Sequence, residues 1–321
     1  MKLTQQAPQW LPFRVRSWLD QQRILSSLRE LDGTAPRPAA NADDAQAEVH
    51  MLMCARDVRL GVFALKSLLR FNEMKLAVTL SHDRSLSFEQ TEYINEHIPN
   101  VRWLDWPCGL PNTPKVLADK PNLADLYNNT NFEMIVKLCH PIIESRCPRV
   151  IQMDSDTCFF KRPDAVIDYV NGNDDRPLYL HDHQDEASVI EPQTHALFAK
   201  LAEDLGQTEV TWRVGHRFFN AGLLVYRPDQ MDLNIAERFL GWLKETTPEQ
   251  RTGQPGIWLG DWVREQTCYH LMYAMAPREA RPLGDDYHLG GGQGHVFNHF
   301  LRYYLVRRST LNMIQRVVTE L

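Results

Sequence analysis

Short apolar segments alternate with longer amphipathic segments along the first 180 residues, and this alternation restricts the fold more than any other feature. Four segments have the length and apolar character of buried strands: residues 49–54, 76–81, 101–104 and 149–153. Segments with helical periodicity lie between them, at residues 61–71, 88–97 and 131–146. Strands of about five residues that alternate with longer helices indicate βαβ units. We therefore expect an α/β fold with a mainly parallel sheet.

The second half of the chain is less regular. Residues 177–181 and 219–226 have the composition of strands, whereas residues 231–244 and 261–274 have helical periodicity. Because these strands no longer alternate strictly with helices, we expect the later strands to make the sheet mixed.

The charge is distributed unevenly. The net charge of −6 argues against a general nucleic-acid binder. Residues 1–31 nevertheless carry five basic and two acidic residues, and residues 299–321 carry four arginines and one glutamate. The two ends are predicted to form basic amphipathic helices, which either pack on the body or contact an anionic membrane surface. Residues 32–47 are rich in Gly, Pro, Ala and Asp and are interpreted as a linker.

These segments suggest three parts. Residues 1–47 are an amphipathic helix with a linker, residues 48–300 are the main domain, and residues 301–321 are a basic C-terminal helix.

The six cysteines include no CxxC pair and mostly lie in apolar surroundings, which predicts reduced thiols in a cytoplasmic protein. No apolar run is long enough to cross a membrane, and no signal-peptide pattern is present at the N-terminus.

A pair of carboxylates, Asp154 and Asp156, directly follows the predicted strand at residues 149–153. In open α/β sheets, ligands bind beyond the carboxyl ends of the strands. Two neighbouring carboxylates are unfavourable there unless a cation joins them, and Mg²⁺ or Mn²⁺ binds carboxylate and phosphate oxygens together. A DxD sequence is also common in solvated turns, so the pair needs support from other motifs.

That support comes from a resemblance that extends over about residues 48–302. Residues 137–157, KLCHPIIESRCPRVIQMDSDT, resemble the donor-site region of GT-A glycosyltransferases, most of all retaining family 8, the glycogenin and galactosyltransferase type. Four further segments resemble that family's motifs in the same order: FNAG at 219–222, REQ at 264–266, GDDYH at 284–288 and VFNHFL at 296–301. Residues 51–57 with 65–69 resemble the first nucleotide-binding strand and its helix.

The resemblance implies a Rossmann-like GT-A fold: a mixed, mainly parallel sheet flanked by helices, with N- and C-terminal helical extensions. It also implies a metal-dependent transfer, with retention, of a sugar from a nucleoside-diphosphate sugar of the UDP class. The acceptor would be a glycan, a lipid-linked molecule or a protein. Asp154, Asp156 and His299 would bind Mn²⁺ or Mg²⁺. The implied catalytic residues are Glu265, Gln266 and Lys137. The implied donor-binding residues are Cys54, Ala55, Arg56, Asp57, Lys137, Asp154, Ser155, Asn220, Gly222 and Arg302.

The sequence departs from the family in three places. The terminal HxGxxKPW motif is absent, so its phosphate-binding lysine would be replaced by Arg302, Arg307 or Arg308. Arg59 stands near the position of the aromatic residue that stacks on the base, and could stack through its guanidinium plane. Glu265 replaces the aspartate of the DQ pair.

Other assignments remain open at this point. His295 competes with His299 as the third ligand, and the glycine-rich residues 290–294 are interpreted as a loop that closes over the donor. With inversion, the base would be a carboxylate, namely Glu265, Asp261 or Asp182.

Two other functions would place different demands on the sequence. A sugar nucleotidyltransferase would need a glycine-rich phosphate loop after the first strand, which Cys54–Asp57 does not provide. A non-catalytic carbohydrate- or membrane-binding module would not require the residues of the donor-site motifs, which are Asp154, Asp156, Asn220 and His299.

Overall fold

The computed structural model describes residues 12–106, 110–129, 133–181, 203, 219–245, 264–290, 295–301, 305 and 307–321. The strands are β1 (Ala47–Met53), β2 (Leu76–His82), β3 (Arg102–Leu104), β4 (Val150–Met153), β5 (Thr157–Phe159), β6 (Leu178–His181), β7 (Phe219–Tyr226), β8 (Arg281–Pro282), β9 (Tyr287–Leu289) and β10 (Phe297–His299). The longer helices are α1 (Phe13–Ser27), α2 (Val58–Leu69), α3 (Phe88–His97), α4 (Thr113–Leu117), α5 (Pro121–Asn128), α6 (Met134–Ile143), α7 (Asp164–Val170), α8 (Leu233–Glu245), α9 (Arg264–Ala274) and α10 (Arg308–Val318).

The strands form a large sheet in the order β3-β2-β1-β4-β7-β6-β8 and a small one in the order β5-β10-β9. The first four strands of the large sheet are mutually parallel. β7 is antiparallel to both β4 and β6, whereas β8 is parallel to β6. The predicted α/β fold with a mixed, mainly parallel sheet is therefore confirmed.

Both faces of the large sheet are covered, because its strands alternate between two apolar cores. Ile151 and Met153 of β4 belong to one core, which also contains residues of α1, α2 and α10. Val150 of the same strand belongs to the other core, with residues of α5, α6, α8 and α9. A strand buried on both faces needs few charged residues, which explains the nearly continuous apolar runs in the sequence.

A buried hydroxyl pair joins the elements below the carboxyl end of β4. The Tyr269 hydroxyl, on α9, lies 3.0 Å from the backbone oxygen of Lys137 on α6 and 3.1 Å from the Tyr226 hydroxyl on β7. The Tyr226 hydroxyl in turn donates to Gln152 Oε1 of β4 over 3.2 Å. Because such groups are costly to bury without partners, these bonds fix α6 and α9 against the two strands.

Residues 34–46, the central part of the segment 32–47 interpreted as a linker, follow the body in a largely extended path. Backbone N–H groups of Arg37 and Ala39 donate to His97 and Pro99, and that of Ala40 donates to Leu76. The ammonium of Lys66, fully buried on α2, also binds this segment: its Nζ lies 2.6 Å from Thr34 Oγ1, 2.9 Å from the Ala35 oxygen and 2.9 Å from His97 Nδ1.

This lysine should make stability depend on pH. Burial, with a smaller contribution from Arg37, lowers the pKa of Lys66 to about 8, against about 10.4 in an unfolded chain. Between these values Lys66 binds more protons in the unfolded chain, so its own contribution to stability should rise with pH, by about 2 kcal/mol between about pH 7 and 10. In urea unfolding, the slope of stability against pH should be more positive in the unmodified protein and in an exposed control, Lys75→Met, than in Lys66→Met. Equal slopes in all three proteins would contradict the assignment.

Among the helices described, none is long and apolar enough to cross a bilayer. The five cysteines in the described part of the chain are free thiols.

Candidate active site

Asp154 and Asp156 lie in the turn between β4 and β5, where the large sheet meets the small one. The Asp154 N–H donates to the Gly222 oxygen of β7 over 3.0 Å, and the Thr157 hydroxyl donates to the Asp154 oxygen over 2.7 Å. The Asp156 oxygen accepts the Phe300 N–H, which follows β10, over 2.9 Å. Both carboxylates are therefore positioned by backbone contacts from distant parts of the chain.

His299, the last residue of β10, faces this turn. Its Nε2 lies 3.2 Å from Asp156 Oδ1 and 3.5 Å from Asp154 Oδ2. One ligand atom from each of the three side chains lies within 4.8 Å of the others, and of the His, Cys, Asp and Glu residues described, only these form such a group. His295 is not part of it; its ring stacks on that of His288 with 4.4 Å between centroids.

The donor set fits a divalent cation. Two carboxylate oxygens and an imidazole nitrogen suit Mn²⁺ or Mg²⁺ and leave positions for phosphate oxygens. Burial alone would lower the pKa of His299, but the Asp156 and Asp154 carboxylates outweigh burial and hold this pKa above its ordinary value. Burial likewise raises the pKa of Asp156, and attraction to His299 more than reverses the effect. An ion bound here would thus compete with a proton for Nε2.

Lys137 of α6 joins Asp154 to a second, fully buried carboxylate. Its Nζ lies 2.7 Å from Asp154 Oδ1 and 3.0 Å from Glu265 Oε1. Burial disfavours the ammonium, yet the two carboxylates outweigh burial and raise the pKa of Lys137 above its ordinary value. The Glu265 side chain is only 3% exposed, and burial raises the pKa of this carboxyl despite its attraction to Lys137.

Strand β7 supports the cluster from the other side. Asn220 Oδ1 accepts a hydrogen bond from the Gly222 N–H over 2.8 Å and lies 3.0 Å from His299 Nδ1. The Gln266 Oε1 atom, at the start of α9, accepts the Ala221 N–H over 3.2 Å. The predicted residues Lys137, Asp154, Asp156, Asn220, Gly222, Glu265, Gln266 and His299 thus come together in one place.

Gly222 allows His299 to approach the strand. A β-carbon at position 222 would lie 2.1 Å from His299 Nδ1 and 2.5 Å from Cε1, which is too close for non-bonded atoms. Gly222→Ala should displace the imidazole and lower the free energy of unfolding by about 1–3 kcal/mol. It should also weaken Mn²⁺ binding. Urea unfolding and Mn²⁺ titration check both effects, with Gly33→Ala as a control, because a β-carbon at Gly33 meets nothing within 4 Å. An alanine variant that matches the control in both measurements would contradict this role.

The loop after β1, residues 54–57, lies at the same end of the sheet as Asp154. β1 and β4 are parallel neighbours, and the Asp156 charge contributes to raising the pKa of Asp57, after burial. The Cys54 thiol donates to Asp57 Oδ2 over 3.2 Å, and the Arg56 side chain is 59% exposed beside Asp57. The predicted donor-binding loop therefore lies at the same end of the sheet as the carboxylate cluster.

Two residues that hold this loop were missed in the sequence. Ser85 Oγ accepts the Ala55 N–H over 2.8 Å, and Gln90 Nε2 donates to the Ala55 oxygen over 3.0 Å. Gln90 also forms a capping box with Ser87 at the start of α3. The S-x-x-Q spacing signals such a box, whereas no local pattern indicates Ser85.

The other predicted residues are placed as follows. Ser155 is half-buried between the two aspartates. Arg59 lies 2.9 Å from Asp32 and over the ring of Tyr93. Arg307 and Arg308 are exposed at the start of α10. Predictions that fall outside the described residues are Arg302, Asp182, Asp261 and positions 291–294 of the glycine-rich loop.

No protein-family model and no curated protein sequence matches the chain. Solved structures do match. The apo form of mouse xyloside xylosyltransferase 1 is 14% identical, with 82% of this chain and 98% of that chain covered and a TM-score of 0.47. The mannosyltransferase Ktr4p from S. cerevisiae is 11% identical, with 82% and 78% covered and a TM-score of 0.43.

A third structure gives a higher score. The galactosyltransferase LgtC, in complex with donor and acceptor sugar analogues, is 10% identical, with 85% of this chain and 96% of that chain covered and a TM-score of 0.51. At this identity the similarity is one of fold, and the chain has the GT-A fold implied by its motifs.

Proposed function

We propose that the chain is a metal-dependent glycosyltransferase that moves a sugar from a nucleoside-diphosphate sugar to an acceptor. The observation that carries the proposal is the convergence of Asp154, Asp156 and His299 at the carboxyl end of the sheet. Ligands bind at this end of an open α/β sheet, and residues 54–57, which we propose bind the donor, lie at the same end. The shared fold with a sugar-transferring enzyme is consistent with this.

In this proposal Asp154, Asp156 and His299 would hold Mn²⁺ or Mg²⁺, which would supply positive charge to the diphosphate leaving group. The chain's own residues do the rest. Asp154 is kept ionised and oriented by Lys137, at 2.7 Å. Residues Cys54–Asp57 and Ser155 bind the nucleoside, and we assign the UDP class of donor to them.

We further propose that transfer retains the anomeric configuration. Inversion requires a carboxylate that contacts the acceptor hydroxyl. Of the three candidate bases, Asp182 and Asp261 lie outside the described residues, and Glu265 is buried and paired with Lys137, which places it poorly to reach an acceptor. We assign the reactive face of the sugar to the half-buried Gln266, whose Oε1 is fixed by the Ala221 N–H. The departing phosphate oxygen takes the acceptor proton.

The test is incubation of the full-length protein with Mn²⁺ and a panel of UDP- and GDP-sugars, followed by measurement of nucleoside diphosphate release. We expect Mn²⁺-dependent release of UDP from at least one donor and none after chelation. No release from any donor, together with no nucleotide binding, would overturn the proposal. Pyrophosphate release from a nucleoside triphosphate and a sugar phosphate would indicate nucleotidyl transfer instead.

The acceptor and the site of action belong to the same proposal. We assign a cytoplasmic enzyme acting on a glycan, lipid-linked or protein acceptor, with peripheral membrane contact through α1. Trp18 is 60% exposed there, near the exposed Arg14. α10 offers no comparable apolar surface, since its apolar side is buried against the body: Met313, Ile314, Val317 and Val318. At low salt the protein should sediment together with anionic vesicles, and Trp18→Gln should reduce the fraction of protein that sediments with them. Equal retention by neutral vesicles, or none by either, would contradict the contact.

A further inference from the structure

The hydrogen bonds of Asn220 determine which nitrogen of His299 carries a proton. Asn220 is 7% exposed on β7, and its Oδ1 faces two groups, the Gly222 N–H and His299 Nδ1. A backbone N–H can only donate, so the atom that Asn220 turns toward it must be the amide oxygen. The orientation of the side-chain amide is thereby fixed by the backbone of its own strand.

The same oxygen then fixes the imidazole. Since Oδ1 accepts and cannot donate, Nδ1 of His299 must carry a hydrogen to bond with it over 3.0 Å. In the neutral ring, Nε2 then has the free lone pair. Nε2 is the atom that faces Asp156 and Asp154, at 3.2 and 3.5 Å.

We propose that Asn220 is a positioning residue for the metal site: its amide oxygen holds His299 in the Nδ1–H form, so that Nε2 is ready to bind the ion. The inference rests on the proposed function, because it concerns the ligand of a divalent cation that function requires. Partners of the second ring nitrogen fix the orientation and basicity of metal-binding histidines in general. It gives Asn220 a different role from the sugar or acceptor contact that the motif suggested.

Gly222, two positions after Asn220, also helps to position His299. Gly222 supplies the N–H that orients the amide, and its missing β-carbon leaves the space that His299 occupies. The Asn220 amide oxygen and the position of a β-carbon at residue 222 both lie against His299 Nδ1. The FNAG segment thus determines that Nε2 of His299 is the ligand atom. Asn220 contributes its side-chain oxygen, and Gly222 contributes the space left by its missing side chain.

The main test is Mn²⁺ affinity, measured on the full-length protein without any donor by the electron paramagnetic resonance signal of free Mn²⁺. Asn220→Ala removes the acceptor and should weaken Mn²⁺ binding by about 10- to 100-fold. Asn220→Asp keeps an oxygen at the same place, and its affinity for Mn²⁺ should lie no more than about threefold below that of the unmodified protein. Folding of both variants is checked by near-UV circular dichroism.

The Mn²⁺ affinities of the two variants distinguish a positioning role from a structural one. If Asn220→Ala folds and binds Mn²⁺ as the unmodified protein does, or if Asn220→Asp loses as much affinity as Asn220→Ala, the inference is wrong. A merely structural role would lower stability in both variants without the contrast in affinity.

A second measurement decides the matter if the variants do not fold or if the unmodified protein binds no Mn²⁺. Nitrogen-15 NMR of the metal-free protein with labelled histidine reports the tautomer directly, and the His299→Gln spectrum assigns the signal. We expect the Nδ1–H form once the ring is neutral, and the Nε2–H form would overturn the inference. Absence of Mn²⁺ binding in the unmodified protein would instead count against the proposed function.

Discussion

Replacing Asp156 by asparagine should reduce Mn²⁺-dependent sugar transfer by about three orders of magnitude, which corresponds to about 4 kcal/mol of lost transition-state stabilisation. The variant keeps the shape of the side chain but removes one of the two carboxylates that face His299 Nε2. The remaining set, one carboxylate and one imidazole, holds a divalent cation weakly and leaves the diphosphate charge uncompensated. Initial rates of nucleoside diphosphate release, over a range of Mn²⁺ concentrations, measure the effect.

The matched control is Asp119→Asn, which makes the same change on an exposed side chain that is paired with its neighbour Lys120. It should retain full activity and the same Mn²⁺ dependence. If Asp156→Asn keeps its activity within tenfold of this control, Asp156 is not a metal ligand of the reaction.

Replacing Lys137 by methionine should be the most destabilising of the substitutions considered, costing about 3–5 kcal/mol at neutral pH. It leaves Glu265, which is 3% exposed, without its positive partner and removes the charge that orients Asp154. Transfer activity should also be lost, because Asp154 is then free to leave the position in which it faces His299. Urea unfolding of the metal-free protein measures the stability change.

The pH dependence of the loss identifies its cause. Burial raises the pKa of Glu265, and Lys137→Met removes the attraction that opposes this rise most, leaving the hydrogen bond from the Gln266 backbone N–H. A carboxyl with a raised folded-state pKa favours folding in its protonated form. The deficit of Lys137→Met should therefore shrink as the pH falls from 7 toward about 4.3, the unfolded value.

A double variant, Lys137→Met with Glu265→Leu, removes both charges and should recover most of the stability at pH 7, though not the activity. A double variant as unstable as the single one would show that the lysine contributes through packing and not through its charge.

Much of this fold could be predicted from the sequence, because its information is local. The strands at β1, β2, β4 and β7 were located to within one or two residues, since a strand buried on both faces has a continuous apolar run. The short elements were missed: β5, β9, α4, α5 and α7 have too few residues to establish a period. Their positions depend on pairing and packing with distant segments.

The candidate site was predictable as a set of residues but not as an arrangement. The order of the motifs brought Asp154, Asp156 and His299 together, and proximity in space agrees with this. No local pattern indicated that Asn220 Oδ1 turns to His299, or that Lys137 bridges two carboxylates. Arg59 illustrates the opposite case: its position in the sequence suggested base stacking, whereas its guanidinium lies against Asp32 and Tyr93. Side-chain direction depends on which neighbours fold against a segment, and that is not encoded locally.

The pairing of β10 with β5 has a consequence for how the protein reaches its native state. His299 is placed opposite Thr157, so the third ligand arrives only after the chain closes a loop of about 140 residues, among the entropically slower contacts to form. Pairing of the parallel strands β1, β2 and β4 does not depend on this step, but until β10 joins, Asp156 lacks its contact with the Phe300 N–H and the site lacks its imidazole. The rate of Mn²⁺ binding during refolding would then report the rate at which β10 pairs with β5. Excess Mn²⁺ would lower the rate of unfolding of this strand more than it raises the rate of its folding.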